Sequence, residues 1–400
     1  MSPSPPKVPV QDDRSPEDAN GKYLREVFDG GLTEYEVFWR DRQQWLEKQG
    51  YMLRPRFHPG WVPSWIGSNR LRLKFEDGAS FLRTAYMLDA RRISDGAIVV
   101  LKKVQLQEAS LGLPRELRMA QLLRTEPYAS DPRNNFVPIF EILMLPDADN
   151  MAIMVMPLLR RWDAPLFETV GEAVEFCRQM FEGLQFMHQH HIAHNDIKNN
   201  NIMADTRPLY DVDLHPCSPV RSYDWKRNIS AKSRTRRPIN YFYIDYDLCE
   251  QYDPAAGPAQ KMPPYGGDQS IPEFTRNPHQ PCDPFAVDVY CLGNVIREGI
   301  TGGAPTEFSK PLDPAFTFLR PLISDMTQDD PTKRPNMDEV VSRFNEIVKK
   351  LGEFKLRSRI AVAAPDALTS PRSAPVHWVR QLFNFITRVP AIPAPTSTKK

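Results

Sequence analysis

The run HNDIKNNN at residues 194–201 lies between apolar segments, and it constrains this chain more than any other stretch. So many amides and charges cannot be buried without partners, so the run belongs to a loop held by a scaffold, where function concentrates. Upstream, between Gly171 and His188, Ala173, Phe176, Cys177, Met180, Leu184 and Met187 share one helical face, so a long amphipathic helix leads into the loop. Earlier still, Leu71 to Val104 reads as strands. There Ser94-Asp95-Gly96 forms a turn between TAYMLDARR and AIVVLKKV, which predicts a β-hairpin. Pro114 then opens a helix through Leu123. A small β-rich part followed by a larger helical part predicts an α+β chain of two lobes with a cleft between them.

Composition narrows the class. With 41% hydrophobic and 25% charged residues in 400, the chain can bury one large core or two lobes. Its 51 basic and 50 acidic residues give a net charge of +1, so no whole-chain field draws it to nucleic acid or a membrane. Five cysteines without a CxxC pair fit reduced thiols better than disulfides or a zinc site. No run of apolar residues reaches membrane-spanning length, and the start MSPSPPKVPVQDDRSPED has no signal-peptide core. A cytoplasmic, alternatively nuclear, location is expected.

Phosphoryl transfer needs a carboxylate to orient the attacking hydroxyl, a cation for the phosphate and an amide oxygen for a metal. Asp196, Lys198 and Asn201 supply these at the spacing D-x-K-x-x-N. Here the chain resembles the eukaryotic protein kinase family, as a divergent member of Ser/Thr type. The resemblance runs from about Gly78 to Leu351 and implies the bilobal kinase-like fold, with ATP and Mg²⁺ as cofactors and a protein of unknown identity as substrate. It makes Asp196 and Lys198 catalytic, and Asn201 and Asp245 metal ligands. It places Lys102, its partner Glu116, Gly78, Met156 and Leu158 at the nucleotide. Asp247 competes with Asp245 for its role, but Asp245 follows the strand-like YFYI directly. Ile271-Pro272-Glu273 looks like A-P-E, Asp288 resembles the aspartate that anchors the catalytic loop, and Arg334 should pair with Glu273. His188, His190, His191 and His194 have no spacing suited to a metal.

The chain also departs from the family. Where three loop glycines should cover the phosphates, it has Gly78, Ser80 and Arg83, which restricts backbone approach. Asn195 replaces the arginine that receives an activation-segment phosphate, so phosphorylation of Ser270 or Tyr265 should not be needed for activity. Tyr246 and Asp247 replace Phe and Gly of D-F-G, and PYGGDQS precedes Ile271. Because of the altered glycine loop and Asp245-Tyr246-Asp247, a pseudokinase scaffold stands as an alternative to a Ser/Thr protein kinase, and so does a small-molecule phosphotransferase, since the aminoglycoside and choline kinases that the chain also resembles share H-x-D-x-x-x-x-N.

Beyond the motifs, 1–21 reads as a disordered tail and 22–70 as an accessory extension. Its one helix starts at the Thr33–Glu36 capping box and stops at Gly50, and YMLRPRFHPGWVPSW then runs extended over the surface. The kinase-like domain spans 71–352, with an N-lobe at 71–159 and a C-lobe at 160–352. Within it, 43 residues separate Asn201 from Asp245, and their basic run at 226–238 suggests either an exposed loop for an acidic partner or a solvated insert. Residues 353–400 form a linker and a short amphipathic helix with a disordered end. Trp378, Val379, Leu382, Phe383, Ile386 and Val389 should dock that helix on the large lobe, with membrane contact the sharper alternative.

Overall fold

The computed structural model describes residues 32–79, 85–106, 113–301, 314–360 and 374–395. The tail at 1–21, Ser80, Arg83 and the last five residues lie outside the described residues. The chain divides into two units: 1–103 with 212–229, and 104–211 with 230–400.

In the first unit Thr33 caps a helix, accepting from the Glu36 amide while Glu36 accepts from the Thr33 amide. The helix does not run on to Gly50 as expected. It breaks at Arg42, giving α1 (Glu34–Asp41) and α2 (Gln43–Lys48). Trp39 and Leu46 are fully buried. A short strand β1 (Tyr51–Met52) pairs antiparallel with β2 (Met87–Arg92), which pairs with β3 (Ile98–Gln105) in the register Met87↔Lys102. The expected hairpin is present, and Gly96 at its turn has φ 73°, where an L side chain would be strained.

The stretch after β1 does not lie extended on the surface, because Arg54, Arg56 and Phe57 turn inward and are buried. Arginine is tolerated inside only when fully paired. Arg54 donates to both Asp89 oxygens at 2.8 and 3.1 Å and to Glu76 at 3.1 Å, while Arg56 makes a fork to Glu36 at 2.7 and 2.9 Å. Residues 212–229 complete this unit. His215 hydrogen-bonds Glu76 at 3.1 Å, the Trp225 indole donates to the Lys74 carbonyl, and Arg91 pairs with Asp213 while stacking over Tyr223.

The second unit is mainly helical: α3 (Arg115–Leu122), α4 (Val170–Gln189), α5 (Pro272–Arg276), α6 (Pro284–Ile296), α7 (Arg320–Met326), α8 (Met337–Lys349), α9 (Glu353–Arg357) and α10 (Ala374–Ile386). Its strands pair antiparallel, β4 (Glu141–Met144) with β5 (Met151–Pro157) and β7 (Ile192–Ala193) with β10 (Glu250–Gln251). A third sheet has the order β6 (Arg160–Arg161), β8 (Ile202–Ala204), β9 (Tyr241–Tyr243). One continuous apolar core surrounds α4, whose six predicted face residues are all fully buried, and Phe181 meets Phe344 of α8 edge to face. The fold class is the α+β, two-part arrangement that the resemblance implies.

Candidate functional site

The polar loop hangs from one buried carboxylate. Asp288, on α6 and wholly buried, accepts the backbone amides of His194 at 2.7 Å and Asn195 at 2.8 Å. Asn195 takes a positive φ of 65°, a conformation asparagine tolerates, and its amide donates to the Leu248 carbonyl. Burial holds the His194 imidazole below its usual range despite nearby Asp288, Asp196 and Asp245, so the ring is neutral at pH 7.

Held this way, the loop presents Asp196. Its carboxylate accepts from Lys198 Nζ at 2.9 and 2.7 Å and from Asn201 Nδ2 at 2.7 Å. Asn201 Nδ2 also donates to the Asp196 carbonyl, which fixes the carboxylate rotamer against the loop backbone. The structure thus brings Asp196, Lys198 and Asn201 into one cluster. A fourth donor was not named from the sequence: the Gly267 amide reaches Asp196 Oδ1 at 2.6 Å. The approach requires the glycine pair of PYGGDQS. Gly266 has φ 73°, and a Cβ there would lie 2.5 Å from the Asn195 carbonyl oxygen, while one on Gly267 would meet the Lys198 side chain. The glycines were visible in the sequence as a departure; their contact with residues 70 positions upstream was not.

A second cluster forms next to the first. The Ile244 amide donates to the Asn201 carbonyl, and Asp245 follows with φ 71°. Carboxylate oxygens of Glu116, Asp245 and Asp247 lie within 4.8 Å of one another. Hard oxygen donors at this spacing fit Mg²⁺, and with its nitrogen committed to Asp196, Asn201 has its amide oxygen to add. Asp247 lies beside Asp245 in this group. Tyr246 turns the other way, its ring 5.0 Å from Phe136 and its hydroxyl donating to the Val137 carbonyl. Burial pushes that phenol well up, so it stays a neutral donor.

Arg334 and Glu273 pair through two 2.7 Å hydrogen bonds, and Arg334 also holds the carbonyls of Gln328 and Ala286. Ser270 and Asn294 both donate to Asp268, which ties the segment before Ile271 to α6. Met156 and Leu158 are half-buried at the end of β5. Lys102 and Gly78 belong to the first unit. Lys102 is half-buried on β3 opposite Met87, and Gly78 is buried in a tight loop where a Cβ would lie 2.0 Å from the Arg72 carbonyl oxygen.

Within the basic run at 226–238, Lys226 and Arg227 are exposed while other members turn inward. Arg234 is buried, donating to the Trp162 carbonyl and stacking over Phe167, and the Thr235 amide and hydroxyl both donate to Glu172. Lys232 and Arg237 both pair with Asp211. Arg234, Lys232 and Arg237 thus have partners within the chain.

Residues 84–215 match the model of the protein kinase domain. Over that stretch the chain is similar to the protein kinase family. Among its curated relatives, the serine/threonine-protein kinase STY46 of Arabidopsis thaliana is 25% identical over 197 residues, 45% of this chain and 27% of that protein. The serine/threonine-protein kinase STY17 of the same plant is 22% identical over 188 residues, 43% of this chain and 27% of that protein. A light-sensor protein kinase of Ceratodon purpureus is 25% identical over 228 residues, 51% of this chain and 16% of that protein. The chain thus spans less than a third of the length of these relatives. The family match ends at 215, so Asp245, Glu273, Asp288 and Arg334 rest on their geometry.

Proposed function

We propose that the chain transfers the γ-phosphoryl group of Mg-ATP to serine or threonine hydroxyls of a protein. One observation carries this reading: a single carboxylate, Asp196, is held by Lys198, Asn201 and the Gly267 amide beside a cluster of metal-suited carboxylates. Catalysis of phosphoryl transfer is mostly positioning and charge stabilisation, and this arrangement offers both.

Asp196 accepts the hydrogen bond of the incoming hydroxyl and aims its oxygen. As the new oxygen–phosphorus bond forms and the bond to the ADP oxygen breaks, the hydroxyl proton passes to Asp196. The Lys198 ammonium stands against the charge on the transferring group. Asp245, Asp247 and Asn201 would hold Mg²⁺, which supplies neutralisation of phosphate charge when bound. By the family resemblance, Lys102 binds the α and β phosphates, Glu116 orients it, and Gly78, Met156 and Leu158 contact the nucleotide. No described helix is long and apolar enough to cross a membrane. The five free thiols fit a reducing compartment such as the cytoplasm or nucleus.

Radiolabelled transfer to a mixed protein substrate tests the proposal. Asp196→Asn should lose roughly 10²–10⁴-fold in turnover while its thermal shift with Mg-ATP stays that of the wild type. Unchanged turnover rejects the role of Asp196. Nucleotide binding without any transfer by the wild type supports a pseudokinase, and labelling of small alcohols alone supports a small-molecule phosphotransferase.

A further inference from the structure

The C-terminal helix α10 is amphipathic in the reverse sense from a docked helix. Its buried residues are polar: His377 hydrogen-bonds the Arg357 carbonyl, Gln381 accepts from Arg357, and Asn384 accepts from Arg236 at 2.8 Å. An ion pair between Arg380 and Glu168 at 2.6 Å secures its flank. Docking on the second unit is therefore polar, and the expectation of an apolar docking face is corrected. Trp378, Val379, Leu382, Phe383, Phe385 and Ile386 point outward, each between 42% and 69% exposed. Beside them Phe354, 83% exposed, has its ring 6.4 Å from Trp378. At 100° per residue this outward set covers about half of the helix circumference.

So large an apolar ridge is unstable against water and marks a surface that another phase covers. Charge decides which one. From Ala367 to Lys400 the sequence has Arg372, Arg380, Arg388, Lys399 and Lys400 and no acidic residue. The Arg236 guanidinium lies 5.1 Å from the Phe383 ring, and Arg388 is exposed just past the helix end. Pairing two copies through this ridge would bring like-charged rims together. Anionic headgroups complement them, and a bilayer accepts a convex ridge without needing a matching groove. We propose that α10, with Phe354, lies in the interface of an anionic lipid membrane, its axis in the membrane plane. Aromatic rings then sit at the headgroup boundary and the basic residues face the phosphates.

Co-sedimentation of the full chain with vesicles tests this. Vesicles of phosphatidylcholine with phosphatidylserine should retain the protein, and vesicles of phosphatidylcholine alone should retain at least roughly tenfold less. The Leu382→Glu/Phe383→Glu variant changes exposed side chains only, so its circular dichroism should match the wild type while vesicle binding falls by roughly tenfold or more. Arg388→Glu leaves the apolar face intact and should weaken binding to the anionic vesicles, as should raised salt. The proposal is overturned if the wild type ignores anionic vesicles, if it binds neutral vesicles equally, or if the double variant binds as before. It is also overturned if light scattering finds a dimer that the double substitution dissolves while vesicles retain nothing.

Discussion

Each unit has an apolar interior, but the first also packs two buried arginines close together. Around α4 the second unit buries a continuous set of apolar side chains, whereas the first buries Arg54 and Arg56 with Asp89, Glu36 and most of Glu76. Apolar contacts are non-directional, so a lost methylene costs transfer free energy and a cavity but leaves nothing unpaired. A buried ion pair depends on each partner, since removing one leaves an uncompensated charge. Around Arg54 and Arg56 the first unit should therefore tolerate loss of volume better than loss of a single charge.

Tryptophan fluorescence separates the two, because Trp39, Trp45, Trp61, Trp65 and Trp225 lie in the first unit and only Trp162 and Trp378 in the second. Arg54→Met should destabilise the first unit by about 3–5 kcal/mol in urea unfolding, and adding Asp89→Leu should restore most of that. If the double variant is as unstable as the single one, the charge argument fails. Leu184→Ala in α4 should cost about 2–5 kcal/mol, seen in the helical circular dichroism transition. An unchanged transition would show that the apolar core is not what holds that unit.

Acid should separate the units further. Burial pushes the Glu76 carboxyl up, but His215 and Arg54 outweigh it and hold it below its ordinary value of 4.5. A depressed folded value contributes stability above the unfolded one, lost as pH falls through the folded value. The tryptophan-reported urea midpoint should thus drop below about pH 4.5, with Glu76→Gln flattening that slope. At the small end, Arg92 and Asp95 pair on the surface, and Arg92→Ala should change stability by less than about 0.5 kcal/mol.

The same contrast explains what the sequence made legible. The cluster of Asp196, Lys198 and Asn201 could be read because its residues sit a few positions apart in one loop, at the spacing that the proposed chemistry requires. Periodicity also revealed α4, although Val174, Phe181 and Phe186, off the predicted face, are buried as well. Arg54 and Arg56, in a proline-broken aromatic stretch, look like surface charges, because Asp89 is 35 residues away and Glu76 is 22. Gly267 carried no sign that its amide would reach Asp196. For α10 the 3.6-residue period gave the helix, but a period cannot say which face meets protein, and here three polar residues had the stronger claim on the Arg357 and Arg236 groups.

Residues 212–229, which complete the first unit, are made long after the strands they join. During vectorial synthesis the segment up to Lys103 emerges with Arg54, Glu76 and Arg91 still lacking His215, Cys217 and Asp213. That unit cannot finish until the ribosome has passed Ile229, by which point α4 and the loop at 194–201 have already left the exit tunnel or are inside it. A nascent chain cut short before that point would leave Glu76 without His215 and Arg91 without Asp213.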